Sequence, residues 1–185
     1  MQTKDMIRAE MRFRRRSASL ALRQSAAGSV SRQLLALPAV VKAIGNGSAI
    51  AVYIASAHEV DLFEFIEAAL SRGANLAAPR WNGGGYEMAK FEGAASLVAG
   101  PHGIMEPSPT SMRVKCETVA VWLVPGLAFT TGGDRLGFGG GWYDRLLASA
   151  DENSVKLGIA YDFQIVGQIP HEPHDLRMDG VIVCR

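Results

Sequence analysis

Apolar side chains at Ile7, Met11 and Ala18 recur at helical spacing, while Lys4, Arg8 and Arg12 form a basic stripe one turn apart. That pattern predicts a helix from Thr3 to about Ser17. A second helix is predicted from roughly Leu22 to Leu37, stopped near Pro38. After Gly45-Asn-Gly47 a β-branched run leads to Ala55, then a helix from about Leu62 to Arg72 closes on Gly73, which suits a left-handed C′ position. A short strand, Asn75 to Pro79, follows at once. This strand, helix, strand alternation predicts βαβ units on a parallel sheet with helices on both faces.

From Trp81 to Thr118 the periodicity loosens. A turn is expected at Asn82-Gly-Gly-Gly85, a short amphipathic strand at Glu87 to Phe91, and a Pro/Gly-rich loop from Gly100 to Pro109. Regularity returns with an apolar strand, Val119 to Val124, a helix from Trp142 to Ala150, and strands at Val155 to Ala160 and Gly180 to Cys184. The loops after Ala55, Pro79 and Val124 fall at the carboxyl ends of sheet strands, where open α/β sheets bind ligands.

Between the strand at Val119 and the helix at Trp142 lies Thr131-Gly-Gly-Asp-Arg-Leu-Gly-Phe-Gly-Gly-Gly-Trp-Tyr-Asp-Arg145. Six of the ten residues from Gly132 to Gly141 are glycine. Such a bare backbone exposes N–H groups that can converge on phosphate oxygens, with Arg135 as a charged clamp. The same composition also serves a plain flexible connection. Neither the Walker pattern, the Rossmann fingerprint nor a kinase lid fits its spacing.

The segments Val124-Pro-Gly-Leu-Ala-Phe129 and Gly133-Asp-Arg-Leu-Gly-Phe-Gly-Gly-Gly-Trp-Tyr-Asp144 resemble the signature of the 5-formyltetrahydrofolate cyclo-ligase family. Lys4 with Arg8, Ala51 to Ala55 followed by Glu59-Val-Asp61, Pro79-Arg80, Gly103-Ile-Met-Glu-Pro107 and Pro170 to Asp175 extend the resemblance in the family's order. One departure is Trp142, where the family usually has tyrosine, so an aromatic face is kept and a phenol lost.

The resemblance implies a single cyclo-ligase domain over residues 1–185. Its fold would be a three-layer α/β sandwich with a mostly parallel central sheet flanked by helices, of the NagB/RpiA/CoA-transferase-like kind. It implies ATP-dependent closure of 5-formyltetrahydrofolate, free or polyglutamylated, to 5,10-methenyltetrahydrofolate. Implied ATP contacts are Lys4, Arg8, Gly133, Asp134, Arg135, Leu136, Gly137, Phe138, Gly139, Gly140 and Gly141, with Arg135 and Lys4 catalytic. Ile54, Glu59, Trp142 and Tyr143 are implied for the folate, Asp144 and Asp175 for Mg²⁺.

Each position also has a plainer reading. Lys4 and Arg8 suit the wet side of a helix, with Arg12 continuing the stripe; Asp61 suits a cap and Asp144 a first-turn acid. Tyr53, Trp81, Met88 and Phe91 suit either a pterin wall or ordinary core. His171-Glu-Pro-His174-Asp resembles a zinc pattern, but Pro173 breaks the helix that would align the histidines, and zinc is not expected.

Composition narrows the field. At 185 residues, 48% hydrophobic and 20% charged, the chain can fill one substantial core. A net charge of +1, with basic residues massed only at Arg12 to Arg16, disfavours nucleic acid as the main partner. Neither a signal peptide nor a membrane span is expected, so the protein is read as cytoplasmic, with Cys116 and Cys184 reduced; a monomer is the expected state. The competing readings are a binding module of the same fold without turnover, and an RNA-interaction protein using the arginine cluster.

Overall fold

The computed structural model describes residues 2–172 and 175–184. Its helices are α1 (Lys4–Ser17), α2 (Leu20–Ala36), α3 (Pro38–Asn46), α4 (Phe63–Ser71) and α5 (Trp142–Leu147). The strands are β1 (Ala49–Ala51), β2 (Asn75–Trp81), β3 (Tyr86–Phe91), β4 (Leu97–Ala99), β5 (Met105–Pro107) and β6 (Arg113–Val114). They continue with β7 (Val119–Pro125), β8 (Ala128–Phe129), β9 (Arg135–Leu136), β10 (Val155–Tyr161) and β11 (Gly180–Cys184).

Seven strands form one sheet in the order β11-β10-β7-β1-β2-β3-β6. The five from β11 to β2 run parallel, and β3 and β6 add an antiparallel edge. Alternation along the strands sorts the core into two layers. Ile50, Leu76 and Ala78 face a cluster with Val30 and Leu34 of α2, Val40 of α3 and Phe65 of α4. Ala49, Ala51 and Ala77 face the other way, toward Trp122, Phe129 and Leu146 and Leu147 of α5. Helices therefore cover both faces of a mostly parallel sheet, as expected. A third cluster joins Ile7 and Met11 of α1 to Leu127, Leu136 and Ile169, so α1 docks on the loops beyond the strand ends.

Three boundaries differ from the sequence pattern. Pro38 ends α2 but opens α3 at its first turn, where a missing N–H costs nothing; Leu37, extended at φ −74° and ψ 126°, serves both helices. β1 stops at Ala51 and pairs one residue further through Val52 N–H to Ala77 O. There the chain leaves the sheet, because the Tyr53 hydroxyl donates to Val60 O at 2.6 Å and folds the segment into a compact turn. The Gly100 to Pro109 stretch, expected as a loop, supplies the turn and second strand of a hairpin in which β5 pairs with the preceding β4.

Candidate active site

Two adjoining cavities lie at the carboxyl ends of β1, β2 and β7. The first, of about 690 Å³, is bounded by α1, the glycine loop and the C-terminal segment. Thr3 caps α1 through its hydroxyl, which accepts from Met6 N–H, and the buried pair Ile7 and Met11 fixes the helix against the loop. Its basic stripe then reaches that loop directly. Arg8 Nε donates to Gly137 O at 3.2 Å and Arg12 Nη2 to Phe138 O at 3.1 Å. Lys4 Nζ is 2.8 Å from Asp175 Oδ2 and 3.1 Å from Glu172 Oε1. Burial draws the Lys4 pKa down, but these two hydrogen-bonded carboxylates outweigh it and leave the ammonium raised.

Arg135 sits on β9 of the small β8–β9 hairpin with its side chain buried. It donates from Nη1 to Pro125 O at the end of β7 and from Nη2 to Asp144 Oδ1 on the first turn of α5. The loop from Gly137 to Gly141 runs between them. Gly139 and Gly141 take φ of 106° and 64°, which only glycine adopts without strain. Among the described residues no hydrogen bond occupies the backbone N–H groups of Gly137 to Gly141. Five consecutive donors therefore border a cleft that also holds Lys4, Arg8 and Arg135.

The second cavity, of about 300 Å³, is mostly apolar and opens behind the loop. Phe138, Trp142 and Tyr143 line both cavities and form the wall between them. Trp142 packs edge-on against Trp81 and Tyr86 at 5.3 and 5.4 Å between ring centroids. Glu59 lies on the far side. Its Oε2 accepts Ser56 N–H at 2.8 Å, and its Oε1 stands 3.8 Å from Arg15 Nη2. Burial, reinforced by the Glu59 carboxylate, raises both the Tyr143 and the Tyr53 hydroxyls well above the ordinary tyrosine value.

The sequence profile of the 5-formyltetrahydrofolate cyclo-ligase family matches residues 1–184. The chain belongs to that family. Among its relatives, a 5-formyltetrahydrofolate cyclo-ligase of Mycolicibacterium smegmatis is 29% identical over 98% of this chain and 93% of its own length. The 5,10-methenyltetrahydrofolate synthetase of Aquifex aeolicus superposes with a TM-score of 0.85 at 32% identity, covering 97% of this chain and 89% of that one. A methenyltetrahydrofolate synthetase of Mycoplasma pneumoniae shares the fold at TM-score 0.78 and 22% identity, covering 98% of each chain.

Of the positions that the cyclo-ligase signature singles out, Lys4, Arg8, Arg135, Leu136, Gly137 to Gly141, Trp142, Tyr143, Asp144 and Asp175 all border the first cavity. Ile54 and Glu59 border the second. Gly133 and Asp134 reach neither. A Cβ on Gly133 would lie 2.2 Å from Met178 O, and Gly133 O accepts Met178 N–H, so this glycine clamps the C-terminal segment. Asp134 turns away to Thr130 Oγ1 at 3.0 Å and Arg177 Nε at 3.0 Å, closing the Thr130 turn from behind. Met88 and Phe91 are core, while Tyr53 lines the apolar cavity. His174 of the zinc-like pattern lies outside the described residues.

Asp144 and Asp175 suit Mg²⁺ by chemistry, as oxygen donors on one cleft. Among the described residues no three His, Cys, Asp or Glu side chains form a ready metal cage. A cation held here would draw its remaining ligands from phosphate and water.

Two residues escaped the sequence pattern. Arg15, read as part of a basic surface run, is 4% exposed, donates to His58 O at 2.8 Å and lies over the Phe138 ring. Its signal was the buried stripe Ile7, Met11, Arg15 at four-residue spacing. Glu106 on β5 is 6% exposed and accepts Trp81 N–H at 3.0 Å while lining the apolar cavity. A single acid within Ile104-Met-Glu-Pro107 was its only mark.

Proposed function

We propose that the two cavities are halves of one active site, in which MgATP drives closure of 5-formyltetrahydrofolate to 5,10-methenyltetrahydrofolate with release of ADP and phosphate. The observation that carries this reading is the row of free amides from Gly137 to Gly141, set between a cation-lined cleft and an apolar cavity holding Glu59. Polyphosphate suits the first half, and a flat heterocycle with N–H donors suits the second.

A formamide carbon is a poor electrophile. Phosphorylation of the formyl oxygen by the γ-phosphoryl group makes that oxygen a leaving group, and attack by N10 on the carbon then closes the ring. The protein's part is positioning and charge stabilisation, and no nucleophilic side chain is required. Loop amides and Arg8 cradle the phosphates, and Lys4 and Arg135 offset charge on the transferred group. Gly133 and Asp134 shape the loop from behind. Glu59 receives pterin N–H donors, Ile54 and Tyr143 pack the ring, and Trp142 supplies an aromatic face without a phenol. Asp144 and Asp175 would hold Mg²⁺, which when bound neutralises phosphate charge.

We infer further that one cytoplasmic, monomeric domain spanning residues 1–185 carries the whole reaction, on folates with one or several glutamates. Mixing purified protein with MgATP and 5-formyltetrahydrofolate tests the central reading. Methenyl-folate absorbance should appear and should require all three components. Binding of both ligands without absorbance change would identify a binding module in place of an enzyme.

A further inference from the structure

We propose that Glu106, together with Glu59, forms an anionic clamp for the positive charge that the folate acquires during ring closure. This deepens the proposed function and rests on it. The charge first appears as an iminium at N5, when the neutral formyl oxygen takes the phosphoryl group, and the second step spreads it. Once the formyl oxygen carries the phosphoryl group, the N10 lone pair forms the new bond to the formyl carbon. The N10 proton passes to the departing phosphate, and the carbon–oxygen bond breaks with its electron pair on that phosphate. What remains is a cation delocalised over N5, the bridging carbon and N10. The cavity that receives it must tolerate a neutral folate and prefer a charged one.

Glu106 is built for the second of these demands. Its side chain is buried, yet among the described residues it has no ion-pair partner, and its one hydrogen bond is from Trp81 N–H. Burying a carboxylate without a counter-charge is costly unless a ligand supplies one. The local backbone is shaped around it. A Cβ on Gly100 would lie 2.5 Å from the Glu106 carboxyl carbon, so a larger residue there would displace the carboxylate from this position. Gly100 N–H donates to Ile104 O at 2.9 Å and holds the turn that presents Glu106 to the cavity.

Position supports the same role. Glu106 raises the phenol of Tyr86, after burial itself, and Tyr86 packs against Trp142. Glu59 does the same to Tyr143. Trp142 and Tyr143 are wall residues shared with the phosphate cleft. The two carboxylates thus approach the cavity from opposite elements, β5 and the turn after β1, each beside the wall where phosphoryl transfer occurs. Arg15 partly offsets Glu59 at 3.8 Å, which leaves Glu106 as the less compensated of the two.

The test compares Glu106→Gln with the parent protein, because Gln keeps an acceptor for Trp81 N–H. Affinities for 5-formyltetrahydrofolate and for the methenyl cation are measured separately by equilibrium titration. Methenyl binding should weaken by about tenfold or more while formyl binding changes by less than about threefold, with kcat falling and KM nearly unchanged. An equal loss for both ligands, or a loss for neither, overturns the proposal. The unaltered protein provides a second readout that does not depend on the variant folding. It should bind the methenyl cation about tenfold more tightly than the neutral methylene analogue of the same shape. Equal affinities for the two would also overturn it, whereas failure to bind any folate would defeat the proposed function itself.

Discussion

Arg135 Nη2 and Asp144 Oδ1 stand 2.5 Å apart across the glycine loop. Each is the other's charged partner, and both border the phosphate cleft. An incoming phosphate and its metal ion therefore exchange with an existing pair: the guanidinium finds phosphate oxygen and the carboxylate finds a cation. Both groups are pre-oriented by the bond they give up.

Removing the guanidinium should cost most. Arg135→Ala is expected to lower kcat/KM for ATP on the order of a hundredfold, the scale seen when one preorganised donor to developing charge is lost. Steady-state kinetics with varied ATP measures it. Activity within about threefold of the parent would remove Arg135 from the phosphate site.

Asp144→Asn keeps the shape and takes away the charge. Turnover should then require markedly higher free Mg²⁺, because a neutral amide attracts a hard cation far less than a carboxylate. Initial rates against free Mg²⁺ at saturating ATP and folate provide the check, with a thermal melt alongside. An unshifted magnesium curve would exclude Asp144 as a ligand.

Glu59→Gln separates the half-sites. Folate affinity should drop while MgATP affinity stays nearly constant, since the carboxylate faces the apolar cavity and lies off the cation-lined cleft. Two independent titrations decide the matter. Loss of nucleotide affinity with folate binding retained would reverse the assignment of the two halves.

Gly133→Ala probes the clamp on the C-terminal segment. Its φ of 90° and the 2.2 Å approach to Met178 O leave no place for a methyl group. The substitution should destabilise by about 2 kcal/mol or more, lowering the melting temperature by roughly 4–8 °C. The segment also carries Asp175, so activity should fall with it. A melt identical to the parent would mean that the backbone yields there without cost.

The thiols give a pH test. Cys184 is fully buried and its pKa is pushed up to about 12 by desolvation, so the folded chain keeps a proton that the unfolded chain releases near its ordinary value of 9.0. Folding stability should therefore decline as pH rises from about 9 toward 12. At pH 8 a thiol reagent should modify Cys184 only after denaturant is added, with the half-buried Cys116 reacting first. Rapid labelling of both thiols in the native protein would contradict that burial.

Local signals carried the sequence reading a long way. The glycine run, the stripe Lys4, Arg8, Arg12 and the strand at Val119 are properties of a few neighbouring residues, and the structure keeps each of them. Pro38 stops α2 as the pattern predicts, but the helix that it opens has no separate mark, because proline ends one helix by the same geometry with which it begins another. Gly133 looked like its neighbours, and only packing against Met178, distant in sequence, distinguishes it from the glycines that border the cleft. Arg15 and Glu106 were hidden for the same reason. Their partners, His58 O and Trp81 N–H, lie 43 and 25 residues away, and no window along the chain contains both ends.

Phe138, Trp142 and Tyr143 each present one side to either cavity, and this has a thermodynamic corollary. A ligand that settles against one side of such a partition fixes rotamers that the other ligand would otherwise have to fix for itself. The resulting coupling free energy belongs to the pair, so whatever factor nucleotide confers on folate affinity, folate must return to nucleotide in equal measure. A half-loaded protein is then a different host from an empty one. Titrating either ligand alone reports only one corner of a four-state cycle.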